Sequence, residues 1–327
     1  MARRGGRLLL GLGRARAAAA RAALGFLERW LPSLSLSGLQ ALAWALGSVV
    51  WLVDRRGRAV ARQNVLAVLG ATHGPAARAR IVRASYRNAV LSELLLFHLQ
   101  PPSPARCRRL VRMDPADEAR YRAYASSGRP VVLVSAHLGS WELLVLSRAA
   151  FAFAPDFAYL VESSGSPALD ATLERLRNAG SGGSALRKRG AMALKNALAQ
   201  GKSVSLMMDR NLRGMQGGHY VPFLGLQART TPLGAVLARA YRVPLCVVLL
   251  LPERPLRWRL WISDDLLPAP GPDEEADVRE ALRRANDLLS EAVRAHPEAY
   301  LWNLKRFKGR PCADPAGYPA YSEHDPD

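Results

Sequence analysis

The stretch PVVLVSAHLGSWELLVLSRAA, residues 130–150, decides how the rest of the chain is read. Val131 to Val134 form an uncharged aliphatic run, the composition of a strand buried on both faces. The second half is apolar at helical spacing. It opens with Gly139-Ser140, a glycine turn followed by a residue suited to cap a helix at Trp141. Strand, tight loop and helix make the repeating step of an α/β sheet, and in such sheets sites collect beyond the carboxyl ends of strands. His137 stands there. Glu142 follows in the first helical turn, where the macrodipole favours an anion. Inside one helix, residues five apart point about 140° apart, so the two would meet only across the junction. A carboxylate against His137 would fix its tautomer and raise its basicity. The bland alternative is a solvated histidine beside a glutamate that only stabilises the helix start.

The same step recurs. Apolar runs predict strands at 130–135, 157–162, 203–208, 243–251 and 257–263, and helices fit 140–150, 168–179, 190–200, 232–241 and 274–295. Upstream, residues 57–100 read as helices broken at Gly70 to Pro75. The expected fold is α/β, with a mostly parallel or mixed central sheet flanked by helices and preceded by a hydrophobic helical segment. The polar stretch after Pro311 reads as a loose tail.

With 327 residues, 49% of them hydrophobic, the chain can build a full core. Its 46 Lys and Arg against 27 Asp and Glu give a net charge of +19, which favours a polyanionic partner. The three cysteines, Cys107, Cys246 and Cys312, are far apart and match no zinc or redox spacing, so they read as reduced and structural in a cytosol-facing protein. Neither a metal nor a cofactor is called for. At the N-terminus, arginines from Arg3 to Arg29 precede the uncharged stretch 31–53, which Asp54-Arg55-Arg56 closes. That stretch is about one bilayer-spanning helix long, but it carries Pro32, four serines, Gln40 and two glycines. It is expected to contact a membrane, either spanning it or lying on it. A buried core helix is the alternative.

Two further polar clusters follow apolar strands. In SVSLMMDRN, 203–211, Asp209 falls at a strand's carboxyl end, and Gly214, Gly217 and Gly218 then allow a tight loop before HYVPFLG. That loop is not a Walker pattern, and His219 reads as a loop residue. In YLWNLKRFKGRP, 300–311, Lys305, Arg306, Lys308 and Arg310 interleave with Trp302 and Phe307. The patch suits phosphates or nucleic acid, or is a solvated strand with its aromatic residues buried.

Taken in order, these segments resemble the bacterial lipid A biosynthesis (late, or secondary) acyltransferase family. His137 and Glu142 match its H-x4-D/E motif. SPALDATLERLRN supplies Pro167, Asp170 and, by matched spacing, Arg177. Asp209 with HYVPFLG matches the next element. Trp302, Arg306, Phe307, Lys308, Arg310 and Pro311 match the closing signature, and ARQNVLAVLG is also similar. Leu304, Glu162 and Ser166 depart from it, standing where the family commonly has His, Arg and Asn. The resemblance implies a glycerolipid-acyltransferase-like sheet and an O-acyltransferase at the inner membrane, its catalytic domain facing the cytoplasm. Acidic acyl carrier protein would be the donor, a lipid A precursor the acceptor and an anionic membrane the support. It implies a catalytic set of His137 as general base, Glu142 as its orienting acid, Arg177 and Asp209. Trp141, Leu144, Phe223 and Leu224 are expected to wall the acyl groove, with Arg306 and Lys308 holding substrate. Residues 1–56 would be the membrane-associating segment, 57–311 the acyltransferase domain and 312–327 the tail. Rival readings are a relative acting on another glycolipid or amino-acid lipid, a basic nucleic-acid-binding protein, and a silent lipid-binding scaffold. The apolar 31–53 stretch opposes nucleic-acid binding, and the His137–Glu142 pair opposes silence.

Overall fold

The computed structural model describes residues 18–151, 157–181, 184–186, 190–211, 217–313 and 316–325. The arginines from Arg3 to Arg16 and the glycine at 214 lie outside them. The first third is helical: α1 (18–30), α2 (Leu36–Val53), α3 (Arg55–Leu69) and α4 (Pro75–His98). Local chemistry sets these boundaries. The Ser35 side chain accepts from Gly38 N at the start of α2, the Asp54 side chain accepts from Gly57 N at the start of α3, and Pro75 occupies the first turn of α4. α2 and α4 run antiparallel. His98 Nδ1 meets Leu31 O at 2.9 Å near one end, and the Arg83 guanidinium sits 4.6 Å from the Trp51 ring near the other. Between them Gly47 presses on α4, where a Cβ would come within 2.6 Å of Arg87 Cα. Any larger residue would force the two helices apart.

Beyond α4 the chain builds a sheet. Its elements are α5 (Pro104–Arg108), β1 (Val111–Arg112), α6 (Pro115–Ser126), β2 (Val132–Ser135), α7 (Trp141–Ala150), β3 (Phe157–Leu160), α8 (Pro167–Ser181), β4 (Ser184–Leu186), α9 (Gly190–Ala199) and β5 (Ser203–Met207). There follow β6 (His219–Phe223), β7 (Leu226–Thr230), α10 (Leu233–Tyr241), β8 (Leu245–Arg254), β9 (Arg257–Ile262) and α11 (Glu274–Ala295). Among the described residues seven strands form one sheet in the order β1-β9-β8-β2-β5-β3-β4. Every pairing is parallel except the β8–β9 hairpin. The mixed α/β architecture expected from the sequence is therefore present.

Alternation along β2 divides the core. Val132 and Val134 pack with α9, α10 and α11 on one face, whereas Val131 and Leu133 pack with α7, α8 and the second half of α4 on the other. Burying each such side chain contributes about 1.5–3 kcal/mol. The connection after β2 leaves through α7 toward the second face. The connection after β5 leaves toward the first, where Val221, Phe223 and Ala228 of the β6–β7 hairpin are buried. Adjacent strands whose connections part in this way leave a crevice at their carboxyl ends, where ligands bind in open α/β sheets.

Residues 316–325 are not loose. β11 (Glu323–His324) pairs in parallel with β10 (Gly309–Arg310), Tyr321 N donates to Gln63 Oε1 at 3.2 Å, and Asp325 pairs with Arg229 at 2.6 Å. The tail's polar residues find polar partners on the domain. His219 opens β6 and faces Glu275 at 3.7 Å, so it too leaves the loop assigned to it from sequence.

Candidate active site

The crevice is built on the ends of β2 and β5, which pair as Ser135 with Met207. After Ser135 the backbone turns sharply through Gly139, at φ +65°, where a Cβ would lie 2.1 Å from Leu250 O. Only glycine fits there. The turn is stitched to residues 299–301: Gly139 N donates to Ala299 O at 3.0 Å and Leu301 N to His137 O at 2.9 Å. His137 is thus fixed by backbone on both sides.

Its carboxylate partner is Asp209, from the end of β5. Asp209 Oδ2 accepts from His137 N, and Oδ1 lies on His137 Nδ1, each at 2.8 Å. The Asp209 side chain is 0% exposed and that of His137 16%, so the imidazole bridges the buried acid and the surface. With Nδ1 turned to the carboxylate, Nε2 meets no hydrogen-bond partner among the described residues. Burial alone would raise the Asp209 carboxyl. The charge and hydrogen bonds of His137, with Arg306 nearby, hold it below the usual carboxylate range. The Tyr300 hydroxyl, buried and without a well-formed hydrogen bond, lies beside the same carboxylate. Burial and Asp209 push its pKa far up, so it remains a protonated neighbour. Trp141 stands edge-on to His137 with ring centroids 5.4 Å apart.

Glu142 does not take the role read from its spacing. Both its oxygens go to Arg177 of α8, at 2.6 and 2.7 Å, in a bidentate pair whose side chains are 5% and 13% exposed. Among the described residues it makes no hydrogen bond to His137. The reason is the parting of the connections: α7 carries Glu142 toward α4 and α8, where its amide donates to Ser92 Oγ at 3.2 Å. A third ionisable group, Glu93 of α4, joins this pair. Burial first, then repulsion from Glu142, push its carboxyl up to about 8, with Arg177 opposing. Burial works against the Arg177 charge, but Glu142 and Glu93 hold its pKa above the ordinary value.

The other expected site residues separate. Trp141 stands at His137, and half-buried Leu144 packs against the core around α7. Phe223 and Leu224 lie in the core on the opposite face, so the four do not wall one groove. Arg306 is 1% exposed. It donates to Arg229 O and Thr230 Oγ1, each at 2.6 Å, beneath the Phe223 ring at 5.0 Å. Its charge favours the ionised Asp209, and its burial sets it apart from the surface where a substrate would be held. Lys308 is exposed and lines a polar cavity of about 660 Å³ with Arg210, Asn211 and Lys305. Asp170 closes its own loop, accepting from Ser163 Oγ at 2.5 Å and Ser164 N at 2.8 Å. Glu162, one of the departures, is ion-paired with Arg210. The buried Ser140 hydroxyl has no hydrogen-bond partner among the described residues, and the Ser140 carbonyl accepts from Leu143 N.

Tyr300 and Glu93 were not singled out from sequence. Glu93 had a signal: it is the lone acid in the apolar helical run AVLSELLLF, residues 89–97. Tyr300 had none beyond its neighbourhood to the closing signature.

Compared directly with individual curated proteins, the chain has no match. The sequence profile of the bacterial lipid A biosynthesis acyltransferase family, in contrast, matches residues 18–309 of the 327, a span that takes in the crevice, the His137–Asp209 and Glu142–Arg177 pairs and the α2–α4 helices. The chain belongs to that family.

Proposed function

We propose that the protein transfers a fatty acyl group from an acyl-carrier-protein thioester to a hydroxyl of a lipid A precursor, with His137 as general base. The observation that carries this is the His137–Asp209 pair, with Nδ1 held at 2.8 Å and Nε2 without a hydrogen-bond partner among the described residues. In this reading Nδ1–H donates to Asp209, which fixes the tautomer whose Nε2 accepts a proton. His137 Nε2 takes the acceptor hydroxyl proton while the oxygen attacks the thioester carbonyl. The tetrahedral intermediate collapses by breaking the carbon–sulfur bond, and the imidazolium returns its proton to the departing thiolate. Asp209 stabilises that imidazolium, and the partly exposed imidazole suits an acceptor arriving from outside. General-base assistance of this kind contributes about 10²–10⁴-fold.

Glu142 and Arg177 act in this scheme as positioning residues. Their closed pair fixes the first turn of α7, and with it Trp141, against the imidazole. The net charge of +19 favours both an acidic carrier protein and an anionic leaflet. The test is incubation of the purified protein with acyl carrier proteins of several chain lengths and a panel of lipid acceptors, read by mass spectrometry. Acylated lipid A precursor is the expected product. Transfer only to another glycolipid or an amino-acid lipid would move the acceptor while keeping the chemistry. No transfer to any acceptor, with salt-dependent binding to bulk DNA, would replace this reading altogether.

A further inference from the structure

Eight of the eleven large apolar side chains exposed among the described residues lie between residues 26 and 53. They include Phe26 and Trp30 of α1, stacked at 6.0 Å, and Trp44, Val49, Leu52 and Val53 of α2. Of the 18 residues of α2 only Leu39, Ala43 and Gly47 are buried, one stripe at four-residue spacing. That stripe faces α4.

We propose that α2 lies in the plane of an anionic phospholipid surface, apolar face inward, and does not cross the bilayer. The argument is what α4 carries. Beside α2 over its length run Arg83, Arg87 and Asn88, with the Arg83 and Arg87 guanidinium groups 4.6 and 5.3 Å from the Trp51 and Trp44 rings. A spanning α2 would draw these charges to the depth of the hydrocarbon, where they are strongly disfavoured. Peeling α4 away instead would break what α4 holds. Ser85 Oγ donates to Tyr300 O at 2.7 Å, Asn88 to Glu298 O at 2.7 Å, and Ser92 accepts from the Glu142 amide. An in-plane α2 avoids both. Its apolar face enters the headgroup boundary, and α4 stays on the aqueous side about one helix diameter away.

Charge names the surface. α2 contains no ionisable residue; exposed Arg55 and Arg56 follow its end, and exposed Arg21 and Arg29 lie on α1. Arginine and tryptophan beside an apolar face are the composition of a helix resting on anionic lipid. A cleft of about 430 Å³ is lined by Gln40 and Trp44 of α2 and also by Gly139 and Ser140 of the His137 turn. Lying flat, α2 sets that cleft at the lipid boundary. The inference refines the membrane attachment of the proposed enzyme, and its test needs no acyl transfer.

Ser37→Cys and Arg56→Cys place a thiol at either end of α2, each in a Cys312→Ser background because Cys107 and Cys246 are buried. Full-length protein is labelled with a membrane-impermeant maleimide in inverted and in right-side-out inner-membrane vesicles, with detergent-solubilised protein as the reactivity control. Both ends are expected to react in inverted vesicles and neither in right-side-out ones. Reaction of the two ends from opposite faces, or of neither from the cytoplasmic face, overturns the proposal. Val49→Glu with Leu52→Glu, at exposed positions, is expected to weaken partition onto phosphatidylglycerol vesicles at least about tenfold. Unchanged partition overturns it as well.

Discussion

Two hydrogen-bonded centres begin five residues apart, at His137 and Glu142, and serve differently in the fold. The His137–Asp209 pair lies in the crevice between two parallel strands, with a fully buried acid and an imidazole that is 16% exposed. The Glu142–Arg177 pair lies behind it among α4, α7 and α8, with both charges and both hydrogen-bonding edges turned on each other. One leaves a ring nitrogen uncommitted; the other leaves its carboxylate none. Spacing along the chain suggested that His137 and Glu142 belong together. They part because the connection between them is the point at which the chain leaves the crevice for one face of the sheet.

The comparison can be broken most sharply at the crevice. His137→Ala and Asp209→Asn are both expected to lower acyl transfer by about 10²–10⁴-fold. For His137→Ala the unfolding midpoint stays near that of the wild type, because the ring is at the mouth of the crevice. Turnover measured beside urea melts checks this. Near-normal turnover in Asp209→Asn would return the orienting role to another acid.

The rear pair is expected to answer in stability. Arg177→Met leaves a buried carboxylate uncompensated and is expected to cost about 3–5 kcal/mol. Adding Glu142→Gln removes the stranded charge and recovers most of that loss, a coupling that a double-mutant cycle measures directly. Independent, additive losses would mean that the two side chains do not act as a pair.

Glu93 sharpens the same contrast through pH. Its folded pKa of about 8 stands above the 4.5 of a free glutamate. Between those values the unfolded chain releases a proton that the native protein retains, so the native state binds more protons and stability falls as pH rises from about 4.5 to about 8. Glu93→Gln is expected to match wild type near pH 4 and to exceed it above pH 8, by on the order of 1–3 kcal/mol. Melts across that range test the sign. A variant less stable than wild type at every pH would place the loss in packing.

The smallest effect separates groove from core. Leu224 sits at the β6–β7 turn with φ +55°, packed in the core on the face away from α7, and its amide donates to Ser290 Oγ at 2.9 Å. Leu224→Trp is therefore expected to overpack by about 1–3 kcal/mol and leave the preferred acyl chain length unchanged. Competition between donors of different length, run beside thermal melts, decides it. A shortened chain preference would bring Leu224 back to the acyl path.

Much of the sheet was legible. The runs read as strands at 130–135, 203–208 and 257–263 are β2, β5 and β9 to within two residues, and the helix read at 274–295 is α11. Long apolar periodicity is a local signal, and these segments carry it undisturbed. The β6–β7 hairpin was not legible. Pro222 speaks against a strand by residue type although it takes an outward position between buried Val221 and Phe223, and the turn is Leu224-Gly225 where a hairpin usually advertises Asn-Gly. β4, three residues long, is too short to show a period.

The sequence by itself determined the order of the five long strands and the helices between them, the charge, the uncharged stretch before Asp54 and the kinds of residue that end β2 and β5. Tertiary structure decided the partnerships. Asp209 reaches His137 across 72 residues, Arg177 reaches Glu142 across 35, and Arg306, in a stretch that reads as a surface patch, is buried where its charge acts on Asp209. Periodicity reports only which side of its own element a residue occupies. Which carboxylate meets which cation depends on the face toward which each connection leaves the sheet, and that is fixed only when the layers pack.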